Sequence, residues 1–332
     1  MKIFIAAAAI PAGTLLSTTA ADGKVLKPLP EQPYSKPRQI GHLRDSGLTG
    51  VSGMAASRRR PDILWVINDS GNGSMLYAIG LDGNTRGVFR VSGNRNWDWE
   101  DLASYTWGGK AYLVIGDVGD NAARRRKPVL YIVEEPEISP ASSPVRGEVS
   151  VSRDIPFSYE DGPRDCEAVA VDLPSERILL LSKRDLYPRL YELPLMPAKG
   201  EGKPIARFLA EMTSIPPPSE EDLLEDPIFG RFRSQPTAMD IDPSGRVAII
   251  LTYGHAYRYD RAPTELWEMA FSKSPWILKL PRLKQAEALC IGYDGQTVFV
   301  TSERQPPSEP QPAPLLRIDR INDKIVHPPN MK

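Results

Sequence analysis

Five short segments of this chain repeat one pattern, and the repeat limits the folds that the chain can adopt. They are Ser52-Gly-Met-Ala, Glu100-Asp-Leu-Ala, Glu167-Ala-Val-Ala, Thr237-Ala-Met-Asp and Glu287-Ala-Leu-Cys, spaced by 48, 67, 70 and 50 residues. Each is followed by a turn and a run of β-branched, leucine or aromatic residues, which predicts a second strand. Two of these turns, Pro243-Ser-Gly-Arg246 and Tyr293-Asp-Gly-Gln296, are typical of hairpins.

Each repeat continues with a third segment and, in four of the five repeats, a fourth. The third is marked by a leucine before a large residue, at Leu76-Tyr77, Leu130-Tyr131, Leu190-Tyr191, Leu266-Trp267 and Leu315-Leu316. The fourth segments are 88–91, 150–157, 206–212 and 276–280. The fifth repeat lacks a fourth segment, and the segment from Arg38 to Leu43, which precedes the first repeat and has no other partner, can supply it.

This pattern predicts an all-β fold, a five-bladed β-propeller in which the N-terminal segment is the outer strand of the last blade. Such closure leaves only short, protected edges. The 33 prolines cluster between apolar runs and favour short strands over helices. A six-bladed ring is the alternative, and it needs a further unit within 195–236. The largest insertion, 216–235, contains Ser219 as the predicted cap of a short helix; whether it covers the channel is left open.

The first 21 residues have the pattern of a secretory signal peptide: Lys2, an apolar stretch and then small residues. We therefore expect a secreted or periplasmic protein with a linker at 22–37, one propeller domain at 38–326 and a tail at 327–332. No later stretch is long and apolar enough to span a bilayer. Cys166 and Cys290 lie in non-adjacent repeats, so we expect two free, buried thiols. The net charge of -1 gives no basic footprint for nucleic acid.

The repeat brings five oxygen-bearing side chains to equivalent positions. These are Ser52, Glu100, Glu167, Thr237 and Glu287, each at the start of an innermost strand and therefore at one mouth of the channel. Three close carboxylates would repel one another and raise each other's pKa. A Ca²⁺ ion resolves the repulsion because it binds six to eight oxygen ligands in flexible geometry. The alternative is that these glutamates bind arginine or backbone amides and only hold the inner strands.

The ends of the second strands fall on the same face, and they are polar. They include Asn68-Asp69, the run Gly116-Asp117-Val-Gly-Asp120-Asn121, Lys183-Arg184, Tyr253-Gly-His255 and Glu303-Arg304. Cationic groups beside a metal ion suit a phosphate or carboxylate ligand. The candidate catalytic residues are Glu100, Asp117, Lys183, Arg184 and Arg304. The basic run Arg124-Arg-Arg-Lys127 falls on the same face and could also bind such a ligand. The alternative interpretation is that this run is only a solvated surface.

The series Ser52, Glu100, Glu167, Thr237 and Glu287 resembles the central calcium site of the five-bladed calcium-activated nucleotidases, or apyrases, with Thr237 in place of a serine. Lys183-Arg184 falls where that family has a basic pair, and Asn68-Asp69 where it has an acidic pair. The Trp99-Glu-Asp-Leu and Gly-Asp-Val-Gly-Asp-Asn blocks are also similar to bacterial exported propellers labelled phytase-like. The resemblance spans residues 38–320 and implies the fold and a calcium ion. It does not imply nucleotide specificity, which depends on loops that differ here.

Three alternative functions are consistent with these sequence features. The first is a Ca²⁺-dependent hydrolase of phosphoanhydrides or phosphoesters, in which Glu100 or Asp117 holds the attacking water. The second is a non-catalytic, calcium-stabilised propeller that binds a glycan, a peptide or an envelope partner. The third is a quinone-dependent sugar dehydrogenase, which needs a histidine base, and His255 is the one candidate. An anionic or phosphorylated small molecule is the expected ligand of the first.

Overall fold

The computed structural model describes residues 33–139, 144–197, 202–303 and 312–321. The predicted signal peptide, most of the linker 22–37 and the tail 327–332 lie outside the described residues, as does Arg304.

Apart from a few short helices, the described chain is built of strands. β1 (Arg38–Leu43) is followed by unit 1, which contains β2 (Val51–Ala56), β3 (Ile63–Asn68), β4 (Met75–Gly80) and β5 (Thr85–Ser92). Unit 2 contains β6 (Trp99–Trp107), β7 (Lys110–Asp117), β8 (Val129–Glu134) and β9 (Val145–Pro156). The short β10 (Ser158–Tyr159) precedes unit 3, which contains β11 (Cys166–Asp172), β12 (Arg177–Ser182), β13 (Arg189–Pro194) and β14 (Ile205–Glu211).

The last two units follow the helix α1 (Glu220–Glu225). Unit 4 contains β15 (Pro236–Ile241), β16 (Val247–Thr252), β17 (Ala256–Asp260), the helix α2 (Trp267–Phe271) and β18 (Trp276–Leu278). Unit 5 contains β19 (Ala286–Ile291), β20 (Val298–Ser302) and β21 (Ala313–Ile318). The predicted cap of α1 is present: the Ser219 hydroxyl accepts from the Asp222 amide, and the Asp222 carboxylate accepts from the Ser219 amide.

The strands of each unit pair in chain order and antiparallel. β1 pairs antiparallel with β21, with Arg38 opposite Arg317 and Leu43 opposite Ala313, so it completes unit 5. This is the pairing that the sequence predicted for the segment before the first repeat. β5 and β9 also pair, in parallel, and join units 1 and 2 in one eight-stranded sheet.

The first strands of the five units form the centre of the molecule. β2, β6, β11, β15 and β19 each contact the next, and β19 contacts β2. Apolar clusters lie between neighbouring units, so each sheet is buried on both faces. In β16, for example, Ile250 packs with unit 3 while Ile249 packs with unit 5. Burial on both faces explains why the second strands are continuous apolar runs rather than alternating ones.

Two buried carboxyl groups hold the inner strands together below the mouth. Asp101 in β6 accepts from the amides of Leu102, of Val169 in β11 and of Met239 in β15. Asp240 in β15 accepts from its neighbouring amide and from that of Ile291 in β19. Backbone amides that would otherwise lack acceptors in the channel are satisfied in this way.

One predicted strand is wrong. Leu266-Trp267 was expected to mark the third strand of unit 4, but that strand is β17, at Ala256–Asp260. Trp267 instead begins α2, and Leu266 is exposed. The β17 sequence, Ala-Tyr-Arg-Tyr-Asp, has two tyrosines in alternate positions, which suits a strand. Cys166 and Cys290 are both buried and free.

Candidate functional site

The five predicted ligand residues share one backbone feature. Each is the second residue of its inner strand, and in each strand the pairing register with the second strand shifts across that residue. Such a bulge re-aims the side chain away from the regular alternation of the strand. The residues are all buried: Ser52, Glu100, Glu167, Thr237 and Glu287. The repeat therefore conserves a bulge as well as a sequence pattern from one unit to the next.

The two hydroxyl groups hydrogen-bond to the neighbouring unit. Ser52 Oγ donates to the carbonyl oxygen of Trp99, 2.8 Å away, and Thr237 Oγ1 donates to that of Ala286, 2.7 Å away. These acceptors directly precede Glu100 and Glu287 in the chain. The hydroxyls therefore join inner strands of adjacent units, while their own oxygen atoms keep lone pairs that can bind a cation.

The three glutamates are linked to one another through side chains from the ends of the second strands. The carboxyl groups of Glu100 and Glu167 are close enough to repel one another. Lys183, which follows β12, has its Nζ 2.9 Å from Glu167 Oε2 and donates to the Tyr253 hydroxyl at 2.8 Å. Tyr253 follows β16 and hydrogen-bonds Glu287. Starts of inner strands and ends of second strands therefore meet at one end of the channel, as strand direction predicted.

Burial and mutual repulsion raise the pKa of all three glutamates. Burial raises the pKa of Glu167 to about 7, although the ammonium of Lys183 opposes the shift. Burial likewise raises the pKa of Glu287 to about 8, again against Lys183. The pKa of Glu100 is raised well above its usual range by burial and then by Glu167. Burial alone lowers the pKa of Lys183, but attraction to Glu167 and Glu287 outweighs it and the net shift is upward.

A second group of acids adjoins Glu100. Asp69 follows β3 and Asp98 precedes β6, and oxygen atoms of Asp69, Asp98 and Glu100 all lie within 4.8 Å of one another. Burial and the nearby Asp69 raise the pKa of Asp98 to about 6. A Cβ atom on Gly119 would lie 2.5 Å from Asp98 Oδ2 and closer still to Glu100 Oε1, so a larger residue there would displace both carboxyl groups.

The predicted catalytic residues are placed differently from one another. Asp117 is buried and ion-paired with Arg125 at 2.6 Å, and its oxygens also accept from the amides of Trp97 and Asp98. Arg184 is partly exposed and donates to Asp165 at 2.5 Å and to Asn121. Lys183 is buried among the glutamates, and Arg304 lies outside the described residues.

The acidic groups of the mouth outnumber its basic groups. Around the ring lie six carboxyl groups, those of Asp69, Asp98, Glu100, Glu167, Glu287 and Glu303, and in the described part of the chain Lys183 is the one basic residue that is ion-paired with a ring glutamate. Burial and nearby Asp69 also raise the pKa of Glu303. All of these donors are hard oxygens, with neither histidine nor cysteine among them, which suits Ca²⁺ rather than zinc or copper.

Sequence reasoning missed Asp98 and the role of Tyr253. Asp98 directly precedes β6 and lies two positions before Glu100, and Asp165 stands at the same place before Glu167 in unit 3. Tyr253 stands at the same place after its second strand as Asp69, Lys183 and Glu303 do. Because this position carries a charged residue in units 1, 3 and 5, the sequence could have identified Tyr253 as a residue of the mouth.

Comparison with known proteins does not assign this chain to a family. No protein-family model matches the chain, and no curated protein matches it. Among solved structures, the PQQ-bound aldose sugar dehydrogenase of Streptomyces coelicolor is 10% identical, with 88% of this chain and 99% of that chain covered and a TM-score of 0.46. A luciferin-regenerating enzyme is 8% identical, with 85% and 94% covered and a TM-score of 0.42. At these scores the likenesses carry no conclusion about activity.

No helix in the described part of the chain is long and apolar enough to span a membrane.

Proposed function

We propose that this chain is an exported five-bladed β-propeller that binds Ca²⁺ at the acidic mouth and hydrolyses phosphoanhydrides or phosphoesters there. One observation carries the proposal: buried and half-buried carboxyl groups cluster around the ring, and Lys183 is the one basic residue in the described part of the chain that is ion-paired with a ring glutamate. The closed contacts of the five inner strands support the blade number. The pattern of residues 1–21 supports export to the periplasm or the medium.

The residues that would hold the ion are those with free oxygen lone pairs at the mouth. They are the ring Ser52, Glu100, Glu167, Thr237 and Glu287, with Asp69 and Asp98 adjoining Glu100. Glu100 is buried beside the carboxyl groups of Glu167, Asp69 and Asp98, and it belongs to none of the ion pairs of the described residues. When bound, Ca²⁺ would offset the negative charge of a phosphoryl group.

The hydrolytic roles divide by exposure and by partners. Glu100 is better placed than Asp117 to hold an attacking water, because the oxygens of Asp117 are already occupied by Arg125 and two amides. Arg184 is held at the rim by Asp165 and Asn121, and its guanidinium would neutralise charge on a bound phosphate. Arg304 takes the same role by its position after β20, and Lys183 contributes charge from within the mouth.

The second candidate is a non-catalytic propeller that Ca²⁺ stabilises and that binds a glycan, a peptide or an envelope partner. The contacts at the mouth favour it because they run between units: Ser52 bonds unit 2, Thr237 bonds unit 5, and Lys183 bonds unit 4. A cation that binds these groups strengthens the closure of the ring, whether or not the protein has an activity.

Two variants separate the candidates. Protein purified without chelator is assayed for bound metal and for hydrolysis of nucleotides, pyrophosphate and phosphoesters. We expect Glu167→Gln to lose calcium and activity together, and Arg184→Ala to keep calcium and lose activity. Arg207→Ala, which removes an exposed arginine paired with Glu192, is the control and keeps both. If calcium-loaded wild type hydrolyses none of these compounds, the non-catalytic candidate replaces the hydrolase.

A further inference from the structure

Lys183 places a cation inside the mouth that belongs to the protein itself. Its ammonium group contacts Glu167 directly, reaches Glu287 through the Tyr253 hydroxyl, and lies over the Tyr253 ring at 4.9 Å. The side chain is only 5% exposed. One ammonium group is thus bonded to two of the three ring glutamates, directly or through one hydroxyl.

The other cations near the mouth are engaged elsewhere. Arg125 is ion-paired with Asp117, and Arg184 is ion-paired with Asp165. In the described part of the chain, Lys183 is therefore the one basic residue that is ion-paired with a ring glutamate. Removing Arg184 and removing Lys183 each delete one positive charge from the mouth, but only Lys183 contacts the ring.

A divalent ion that uses Glu167 and Glu287 as ligands needs the same oxygen atoms. Two cations at those oxygens repel one another, and burial leaves little water to screen the repulsion. The flexible four-carbon stem of lysine allows the ammonium group to leave without moving the backbone. A monovalent ion brings no more charge than the ammonium it would displace.

We propose that Lys183 is an internal competitor of the bound cation: it neutralises Glu167 and Glu287 when no metal ion is present, and Ca²⁺ binding expels it from the ring. This inference rests on the proposed calcium site. It explains what sets the affinity of that site and why the site prefers divalent to monovalent ions. Lys183 is a residue that tunes the site rather than a ligand.

The first test measures calcium affinity by titration calorimetry on metal-free wild type, Lys183→Met and Arg184→Met. Methionine keeps the length of the stem without its charge. We expect Lys183→Met to bind Ca²⁺ about tenfold more tightly or better, and Arg184→Met to change the affinity by less than about threefold, because only the first removes a cation from the ligand oxygens themselves. Equal or weaker binding by Lys183→Met overturns the inference.

The second test needs no variant and decides the matter if Lys183→Met fails to fold. Wild type is treated with an amine-acetylating reagent, and modification of Lys183 is followed by mass spectrometry. A buried, ion-paired ammonium reacts slowly, so we expect Lys183 to be protected in chelator and to become reactive in Ca²⁺. Sodium chloride at equal ionic strength should leave it protected, and the exposed Lys110 should react alike throughout. Protection that persists in calcium-saturated protein overturns the inference.

These results also separate the inference from the proposed function. Wild type that binds calcium while Lys183 stays protected refutes the competitor and leaves the calcium site standing. If wild type binds no calcium but Lys183→Met does, the competitor is supported and the proposed native calcium site fails. If neither protein binds calcium, both proposals fail.

Discussion

Asp101 bonds three inner strands at once, and its replacement should show how the centre of the ring is held. Its Oδ1 accepts from the Leu102 amide at 2.8 Å, and its Oδ2 accepts from the amides of Val169 at 2.8 Å and Met239 at 3.1 Å. The residue is fully buried. Alanine at this position leaves three buried N–H groups, on β6, β11 and β15, without their acceptor.

The size of the effect follows from that count. A buried donor left without an acceptor costs about 1–3 kcal/mol, so with three such donors Asp101→Ala should lower the free energy of unfolding by about 3–9 kcal/mol. Asp101→Asn keeps one acceptor oxygen and the shape of the side chain, and its expected loss is about 1–3 kcal/mol.

The assay is equilibrium unfolding in urea at neutral pH with chelator present. Asp62→Asn is the control, because Asp62 is exposed and is ion-paired with Arg60, two residues away; its effect should stay below about 0.5 kcal/mol. A loss of less than about 1 kcal/mol for Asp101→Ala would refute the reasoning, since it would mean that water or a backbone shift satisfies all three amides.

Three other predictions address the mouth and the closure of the ring. Burial raises the pKa of Glu167 to about 7 and that of Glu287 to about 8, so the folded state keeps protons that the unfolded chain releases above its ordinary glutamate pKa. Their contribution to the stability of the metal-free protein is therefore complete at low pH and is lost as pH rises from about 5 to about 8. Over this range the free energy of unfolding in urea should fall less in Glu287→Gln than in wild type. An equal fall in the two proteins would contradict this. Gly119→Ala should weaken calcium binding because its Cβ displaces the carboxylates of Asp98 and Glu100, whereas Gly73→Ala, whose Cβ meets only Met75 at 3.6 Å, should bind as wild type does. Deletion of residues 33–43 removes the partner of β21 and should abolish cooperative unfolding; a sharp urea transition close to that of wild type would count against closure by β1.

The repeat made most of the fold predictable. A strand starts at each of the five motif positions, and β1 pairs where the missing fourth strand of unit 5 was expected. β17 is the exception because its sequence contains no leucine before a large residue, the pattern that marks the third strand in the other units. Trp267 satisfies that marker but packs as part of α2, so tertiary packing decided its conformation and local pattern did not.

The site was predictable in its positions and less so in its contacts. Strand direction alone placed the ring residues and the ends of the second strands at one mouth. It did not show that Lys183 turns inward while the adjacent Arg184 stays at the rim, because side-chain direction after a strand depends on local geometry. Arg184 has a φ of 69°, a left-handed conformation that no sequence pattern here indicates. Asp98 lies two positions before Glu100, a place that Asp165 shares before Glu167, but the pattern of the other three units does not include it.

Calcium binding to the metal-free protein is the measurement that tests the central claim most directly. Titration calorimetry should find Ca²⁺ bound at the mouth of wild type and a higher melting temperature when calcium is present, because an ion that binds only the folded state stabilises it. Glu100→Gln and Glu167→Gln should each weaken or abolish the binding, and Glu148→Gln, at an exposed residue of β9 that is ion-paired with Arg90 of unit 1, should not. Wild type that shows neither calcium binding nor a shift in melting temperature would contradict the claim that the unbalanced carboxyl groups of the mouth form a metal site.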